Sequence, residues 1–125
     1  MVDAETVRQI ANSLPLVEDG STPSALRFSV AGKAFAWSLN QRPDGQAKGP
    51  RIPVLAVLAV RCGKADKPDL LASDPETLYE IEHYRGYPAV LVRLDRVEAD
   101  TLRGLLIAGW RVQAPRGLVK AFKTL

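Results

Sequence analysis

The sequence contains one cysteine, one histidine and one methionine in 125 residues. Each scarcity removes a class of chemistry. Cys62 alone cannot close an intramolecular disulfide, so the fold must be held by its core, in agreement with a reducing compartment. Cys62 and His83 do not make a zinc site, and Glu80, Glu82 and His83 would need a further partner to hold a metal. A Ser-His-Asp or Cys-His arrangement would have to use His83, and no Gly-x-Ser-x-Gly elbow accompanies it. Cys62-Gly63-Lys64 lacks the upstream glycine and following hydroxyl residue of a phosphate-binding loop, and Gly-x-Gly-x-x-Gly does not occur. Long apolar runs are also missing. The longest, Val54 to Val60, is far short of the ~20 residues that span a bilayer, and Met1-Val2-Asp3-Ala4-Glu5 is an acidic start rather than a basic signal-peptide one. The expectation is a cytoplasmic protein that is not an enzyme and carries no metal or cofactor.

What is present is an ordinary globular composition. Apolar residues make up 46% and charged residues 25%, which excludes a disordered or collagenous chain and suits a single domain over 1–125. The net charge is only +3, but the signs are segregated. Residues 1–26 carry Arg8 against Asp3, Glu5, Glu18 and Asp19, whereas 27–64 carry seven cations against the single acid Asp44. The stretch 65–100 reverses this with four cations and nine acids, and 101–125 holds Arg103, Arg111, Arg116, Lys120 and Lys123 with no acid at all. Two basic blocks flanking an acidic one can form a face for polyanions, a solvated surface, or self-complementary halves of a dimer.

Periodicity sets the expected elements. Val7, Ile10, Ala11 and Leu14 recur at helical spacing behind Asp3, which predicts a helix over 3–14. Alternation in Leu26, Phe28 and Val30 and in Phe35, Trp37 and Leu39 predicts two strands joined in a hairpin near Ala31-Gly32. The Gly- and Pro-bearing stretch 40–51 reads as a mobile basic loop. Segment 52–61 is apolar on both alternating faces, as a central strand covered on both sides requires. A short helix is expected around 68–72, strands over 78–84 and 88–94, a strong helix over 98–113, and one more helix begun by Pro115.

Two constellations stand out as candidate sites. On the last helix Arg116, Lys120 and Lys123 share a face opposite Leu118, Ala121, Phe122 and Leu125. With Arg111 and Arg103 that face suits phosphate contacts, which need only well-placed cations; the alternative is an ordinary solvated face. The hexapeptide His83-Tyr84-Arg85-Gly86-Tyr87-Pro88 sets aromatics around Arg85, the combination that base stacking and backbone neutralisation use together. Its alternative is a β-turn in which Gly86 takes a positive φ and the tyrosines cover sheet edges. Trp37 and Trp110 sit in apolar patterns and are expected to be packed, and Glu80 and Glu82 to form the solvent face of a strand.

The pattern as a whole resembles the MmcQ/YjbR family. The first half agrees through Leu14-Pro15-Leu16-Val17-Glu18-Asp19-Gly20 and Phe28-Ser29-Val30-Ala31-Gly32-Lys33-Ala34-Phe35-Ala36. In the second half agreement runs through Leu70-Leu71, Asp74-Pro75-Glu76, the continuous run from His83 to Leu94, Ala108-Gly109-Trp110-Arg111 and Ala114-Pro115. Two departures are Ala89, where an aromatic is common, and the enlarged basic stretch 40–51. The resemblance implies an α+β fold of the CyaY (frataxin-like) type, an antiparallel sheet with the first and the long late helix on one face. It also implies a double-wing arrangement associated with DNA binding, with no agreed catalytic residues. Iron handling transfers badly, because the first helix offers only Asp3 and Glu5 with Arg8 beside them. The leading reading is a nucleic-acid-binding module, DNA being the partner, acting through Arg85, Arg103, Arg111, Arg116, Lys120 and Lys123. The alternative is a module that binds another protein or itself through an apolar surface. A third class, a small-molecule binder or enzyme, would require a pocket around His83, Tyr84 and Tyr87.

Overall fold

The computed structural model describes residues 1–41 and 52–123. Eleven elements follow in order: α1 (Ala4–Asn12), β1 (Val17–Asp19), β2 (Arg27–Val30), β3 (Lys33–Gln41), β4 (Ile52–Arg61), α2 (Lys67–Ser73), β5 (Leu78–Tyr79), a 3-10 turn (Glu82–Tyr84), β6 (Ala89–Arg93), α3 (Ala99–Gln113) and α4 (Arg116–Ala121). The strands form one antiparallel sheet in the order β1-β2-β3-β4-β6-β5. The architecture is α+β, a six-stranded antiparallel sheet with helices packed against it.

Local chemistry explains the boundaries. Asp3 caps α1 by accepting the Thr6 amide at 2.8 Å. Ala31 and Gly32, at φ 52° and 78°, form the two-residue turn between β2 and β3, the backbone geometry that matches strand twist in a tight hairpin. The apolar stripes of α1 and α3 lie on one face of the sheet. Val7, Ile10, Leu14, Leu102, Leu105 and Leu106 are buried in one cluster with Phe28, Val30, Leu58, Val60, Val90 and Val92, as their spacing predicts. At Gly109 the helix comes so close that a Cβ would stand 2.8 Å from the Arg61 carbonyl, so glycine sets the depth of α3 on β4.

Other residues of β3, β4 and β6 face the other way, and on β3 the expected alternation is broken: the β2–β3 register skips Phe35, so Phe35 and Ala36 both lie in the first cluster while Trp37 and Leu39 turn to the second face. Leu39, Ala59, Ala89 and Leu91 form a second, smaller core with Tyr84, flanked by Trp37, Val57 and Ile81. That face is covered by the chain from Tyr79 to Tyr87, which supplies the second cover that β4 requires.

Several expectations are corrected. The strand expected over 78–84 ends at Tyr79, because the chain lifts off the sheet edge into the 3-10 turn that drops Tyr84 onto the second face. Glu80 is not on a solvent face; it pairs with the buried Lys67 at 2.9 Å. Strand β1 was hidden from the pattern because it is only three residues long and half-exposed. Helix α4 docks through half-buried Leu118 and Val119, while Ala121 and Phe122 are exposed, so its expected stripe is only partly covered. Of the expected basic loop, Asn40 and Gln41 belong to β3 and positions 42–51 lie outside the described residues, as does Leu125. Among the described residues no helix is long and apolar enough to cross a membrane.

Candidate functional site

Lys67 organises the second face of the sheet. It opens α2, is 7% exposed, and its ammonium donates to the carbonyl oxygens of Tyr84 and Tyr87, both at 2.7 Å, besides pairing with Glu80. A buried cation with three oxygen partners is satisfied, and its direction fixes the chain it holds. Gly86 completes the bend at φ 77°, where an L side chain would be strained. The hexapeptide is thus a clamped turn. Arg85 projects from it with its side chain 74% exposed, 3.4 Å from Glu82.

The clamp assembles four aromatic rings. Trp37 Nε1 donates to the Tyr84 hydroxyl at 3.0 Å across 47 residues of sequence. Tyr87 stands edge-on to Trp37 with centroids 6.3 Å apart and to Tyr84 at 5.9 Å, and His83 stands edge-on to Tyr84 at 5.6 Å. These are favourable edge-to-face contacts, and beside them Trp37, His83, Tyr84 and Tyr87 line a cavity of about 290 Å³. Tyr84 is buried at its base, while Trp37 is half-buried and packed against the second core, as its apolar pattern predicts. Trp110 meets that expectation, fully enclosed with its Nε1 donating to the Pro15 carbonyl at 2.9 Å.

Cations surround the cavity. The Arg61 guanidinium lies 5.4 Å from the Tyr87 ring centre and its Nη1 donates to the Tyr87 hydroxyl at 3.3 Å, while its buried Nε has no partner among the described residues. Arg27 lies opposite Trp37 in the β2–β3 register. A groove lined by Arg27, Lys33, Trp37, Asn40, Tyr87 and Gln113 shares Trp37 and Tyr87 with the aromatic cavity. Gln113 Nε2 donates to the Ala34 carbonyl at 2.9 Å, tying the C-terminal end of α3 to this groove. The groove thus carries Arg27 and Lys33 of the first basic block to the end of α3, from which the chain continues into α4.

The six residues singled out from the sequence fall into three places. Arg111, Arg116, Lys120 and Lys123 are together and exposed at the α3–α4 end, where Arg111 Nη2 donates to the Lys123 carbonyl at 3.2 Å. Arg103 stands apart, about 12 Å along the helix at 1.5 Å per residue, with Nη1 3.4 Å from the Ser13 hydroxyl. Arg85 is on the opposite face of the sheet and does not join them. Sequence reasoning missed Arg27, Lys33, Arg61, Trp37 and Lys67 as site residues. The hairpin register could have found Arg27 beside Trp37; no sequence pattern points Lys67 at a turn 17 residues away.

Elsewhere the chemistry differs. A cavity of about 540 Å³ between α2 and α3 is lined by Val60, Cys62, Leu70, Val90 and Leu105, with Asp66 and Asp69 beside them. Burial pushes the Cys62 thiol up, outweighing Lys67 nearby, so it stays protonated and unreactive. At the α1–β1 corner partial burial raises the Asp19 carboxyl, but hydrogen bonds from Asn12, Ser21 and Arg8 outweigh it and hold it well below the usual carboxylate range. Ion pairs among the described residues join Arg8 to Asp19, Lys67 to Glu80, Arg85 to Glu82 and Arg96 to Glu76. Arg27, Lys33, Arg116, Lys120 and Lys123 belong to none of them.

Comparison with known proteins gives relatives without assigned activities. No family model matches the chain. In fold it is similar to the Deinococcus radiodurans protein DR2400, whose crystal structure is described as a DUF419 domain, with TM-score 0.65 and 19% identity over 97% of this chain and 88% of that one. It is also similar to a Pseudomonas syringae structural-genomics target, PsR293, with TM-score 0.61 and 12% identity over 90% and 99% of the two chains. In sequence it is 33% identical over 127 residues to the uncharacterized proteins Mb2600 of Mycobacterium bovis and MT2646 and Rv2570 of Mycobacterium tuberculosis, covering 98% of this chain and 96% of each relative. With that identity along nearly the whole of both chains, the protein belongs to the family of these mycobacterial proteins.

Proposed function

We propose that this protein is a non-enzymatic, cytoplasmic nucleic-acid-binding module of the MmcQ/YjbR type with a CyaY-like fold. The observation that carries this reading is that Arg27 and Lys33 share a groove with Gln113 at the C-terminal end of α3, from which the chain continues into α4, and that Arg27, Lys33, Arg116, Lys120 and Lys123 are in no ion pair among the described residues. Cations paired with carboxylates are already neutralised, whereas these keep their full charge for phosphates. Arg111, Arg116, Lys120 and Lys123 form the main contact set, and Arg103 and Arg85 are peripheral to it.

Fluorescence anisotropy with labelled DNA at several salt concentrations tests the proposal. Each neutralised phosphate contributes a slope of about −0.9 in log K against log salt on duplex DNA, so four contacts give about −3.6. Changing Arg116, Lys120 and Lys123 together to Ala flattens that slope by about 2.7 and weakens all sequences alike. Absence of binding at ~100 μM protein in about 50 mM salt, weaker than ordinary non-specific association, overturns the reading in favour of a protein-interaction module.

A further inference from the structure

The four-ring cavity has no role in phosphate binding by α4, yet its lining is fixed at some expense: a buried lysine and a positive-φ glycine set the turn that carries Tyr84 and Tyr87, and a hydrogen bond joins Trp37 to Tyr84. Its volume of about 290 Å³ lies just below the ~300–1,000 Å³ of small-ligand pockets, a size for one flat ring system rather than a folded segment of protein. Its walls are aromatic, its floor is Tyr84, and Tyr87 is 41% exposed at its mouth. The His83 imidazole makes no hydrogen bond to any described residue and so offers a polar edge to a guest.

Two guests use aromatic walls of this kind, a quaternary ammonium and a nucleobase. The surrounding charge decides between them. The Arg61 guanidinium already lies over the Tyr87 ring, and the adjoining groove carries Arg27 and Lys33 with no carboxylate among its described lining residues, an environment that repels a cationic guest and attracts one attached to phosphates. We infer that the cavity of Trp37, His83, Tyr84 and Tyr87 receives an unpaired nucleobase, whose strand runs its phosphates along the groove of Arg27 and Lys33. This rests on the nucleic-acid reading above and makes single-stranded nucleic acid the substrate class, since a base in a duplex cannot enter without leaving its stack.

The test separates bases from phosphates. A labelled dT oligonucleotide, an abasic strand of equal length and a duplex of equal length are titrated into the whole protein by anisotropy, with tryptophan emission recorded in parallel. Trp37 is the reporter, since Trp110 is fully enclosed. The dT strand is expected to bind about tenfold more tightly than the abasic strand, as one stacked base provides, and to quench Trp37. His83→Ala and Tyr87→Leu reduce that ratio below about threefold without changing the salt slope, and thermal melts confirm that both variants fold. Equal binding of dT and abasic strands overturns the base pocket and leaves the phosphate reading standing, whereas no binding of any of the three overturns both. Free thymidine monophosphate binding as tightly as the strand assigns the pocket to a mononucleotide, and quenching by tetramethylammonium chloride alone assigns it to a methylated cation; either result overturns the proposal.

Discussion

The two faces of the sheet solve the same problem with different materials. On the helix face, α1 and α3 bury apolar stripes against four central strands, and most of the contacting residues of α1, α3 and β2 are ones whose periodicity announces them. On the other face, a chain with little regular structure is held by Lys67, by the Trp37–Tyr84 hydrogen bond and by perpendicular rings that border a cavity. The first arrangement maximises packing; the second spends polar and charged groups to fix a shape. Apolar packing is non-directional and forgiving, whereas a clamped turn depends on single atoms at single distances.

That difference should appear as a graded series of stability losses. Leu106→Ala on the helix face removes a fully enclosed side chain and is expected to cost about 4 kcal/mol in chemical denaturation, because transfer and cavity terms add. Leu105→Ala lines the wide cavity between α2 and α3, so it should fall near 2 kcal/mol, at the low end of the same range. A Leu106 variant within about 0.5 kcal/mol of wild type would contradict the core assignment.

Lys67→Met falls between these two, at about 3 kcal/mol, since it strands two carbonyls and a half-buried carboxylate. Its signature separates the faces. Trp37 emission should shift as Tyr84 and Tyr87 loosen, while Leu106→Ala leaves that emission unchanged in the folded protein. An unshifted spectrum in Lys67→Met would show that the turn does not depend on its clamp.

Legibility followed the same division. Repeats of three and four residues in α1 and α3, and of two in β2, are local, so one sequence suffices to place them and to infer which side is buried, whereas the alternation of Phe35, Trp37 and Leu39 in β3 places the strand but not its faces, since Phe35 lies on the helix face and Trp37 and Leu39 on the other. The expected strand over 78–84 failed because its alternation is real only to Tyr79; beyond it, Glu80 and Tyr84 answer to Lys67 and Trp37, partners far away in sequence. Gly86 was readable as a positive-φ position, but nothing near it in the chain shows what the turn faces. In the same way the charge blocks were visible as composition, while the splitting of Arg85 from Arg111, Arg116, Lys120 and Lys123 needed the fold.

Smaller effects sharpen the contrast further. Gly86→Ala should cost about 1 kcal/mol, a purely backbone effect, because a Cβ there meets nothing within 4 Å. The Asp19 corner should be weaker still, below about 1 kcal/mol, because its partners are on the surface. Its carboxyl is held below the range it has in the unfolded chain, so its stabilisation is present in full above about pH 4 and disappears as pH falls below that. Asp19→Asn should therefore flatten the acid limb of the stability curve and leave stability at higher pH only slightly reduced; an unchanged acid limb would show that other carboxylates govern it.

The most direct test of the account is to map where a single strand lands. Backbone amide shifts of nitrogen-15-labelled protein, followed during titration with a dT oligonucleotide, compare the basic and aromatic side with the acid-flanked cavity between α2 and α3 in one experiment. The account predicts perturbations at Arg27, Lys33, Trp37, at 83–87 and at 111–123, with Asp66, Asp69 and Leu105 unmoved. Shifts centred on Asp66, Asp69 and Leu105, or no shifts at all at saturating oligonucleotide, would contradict it.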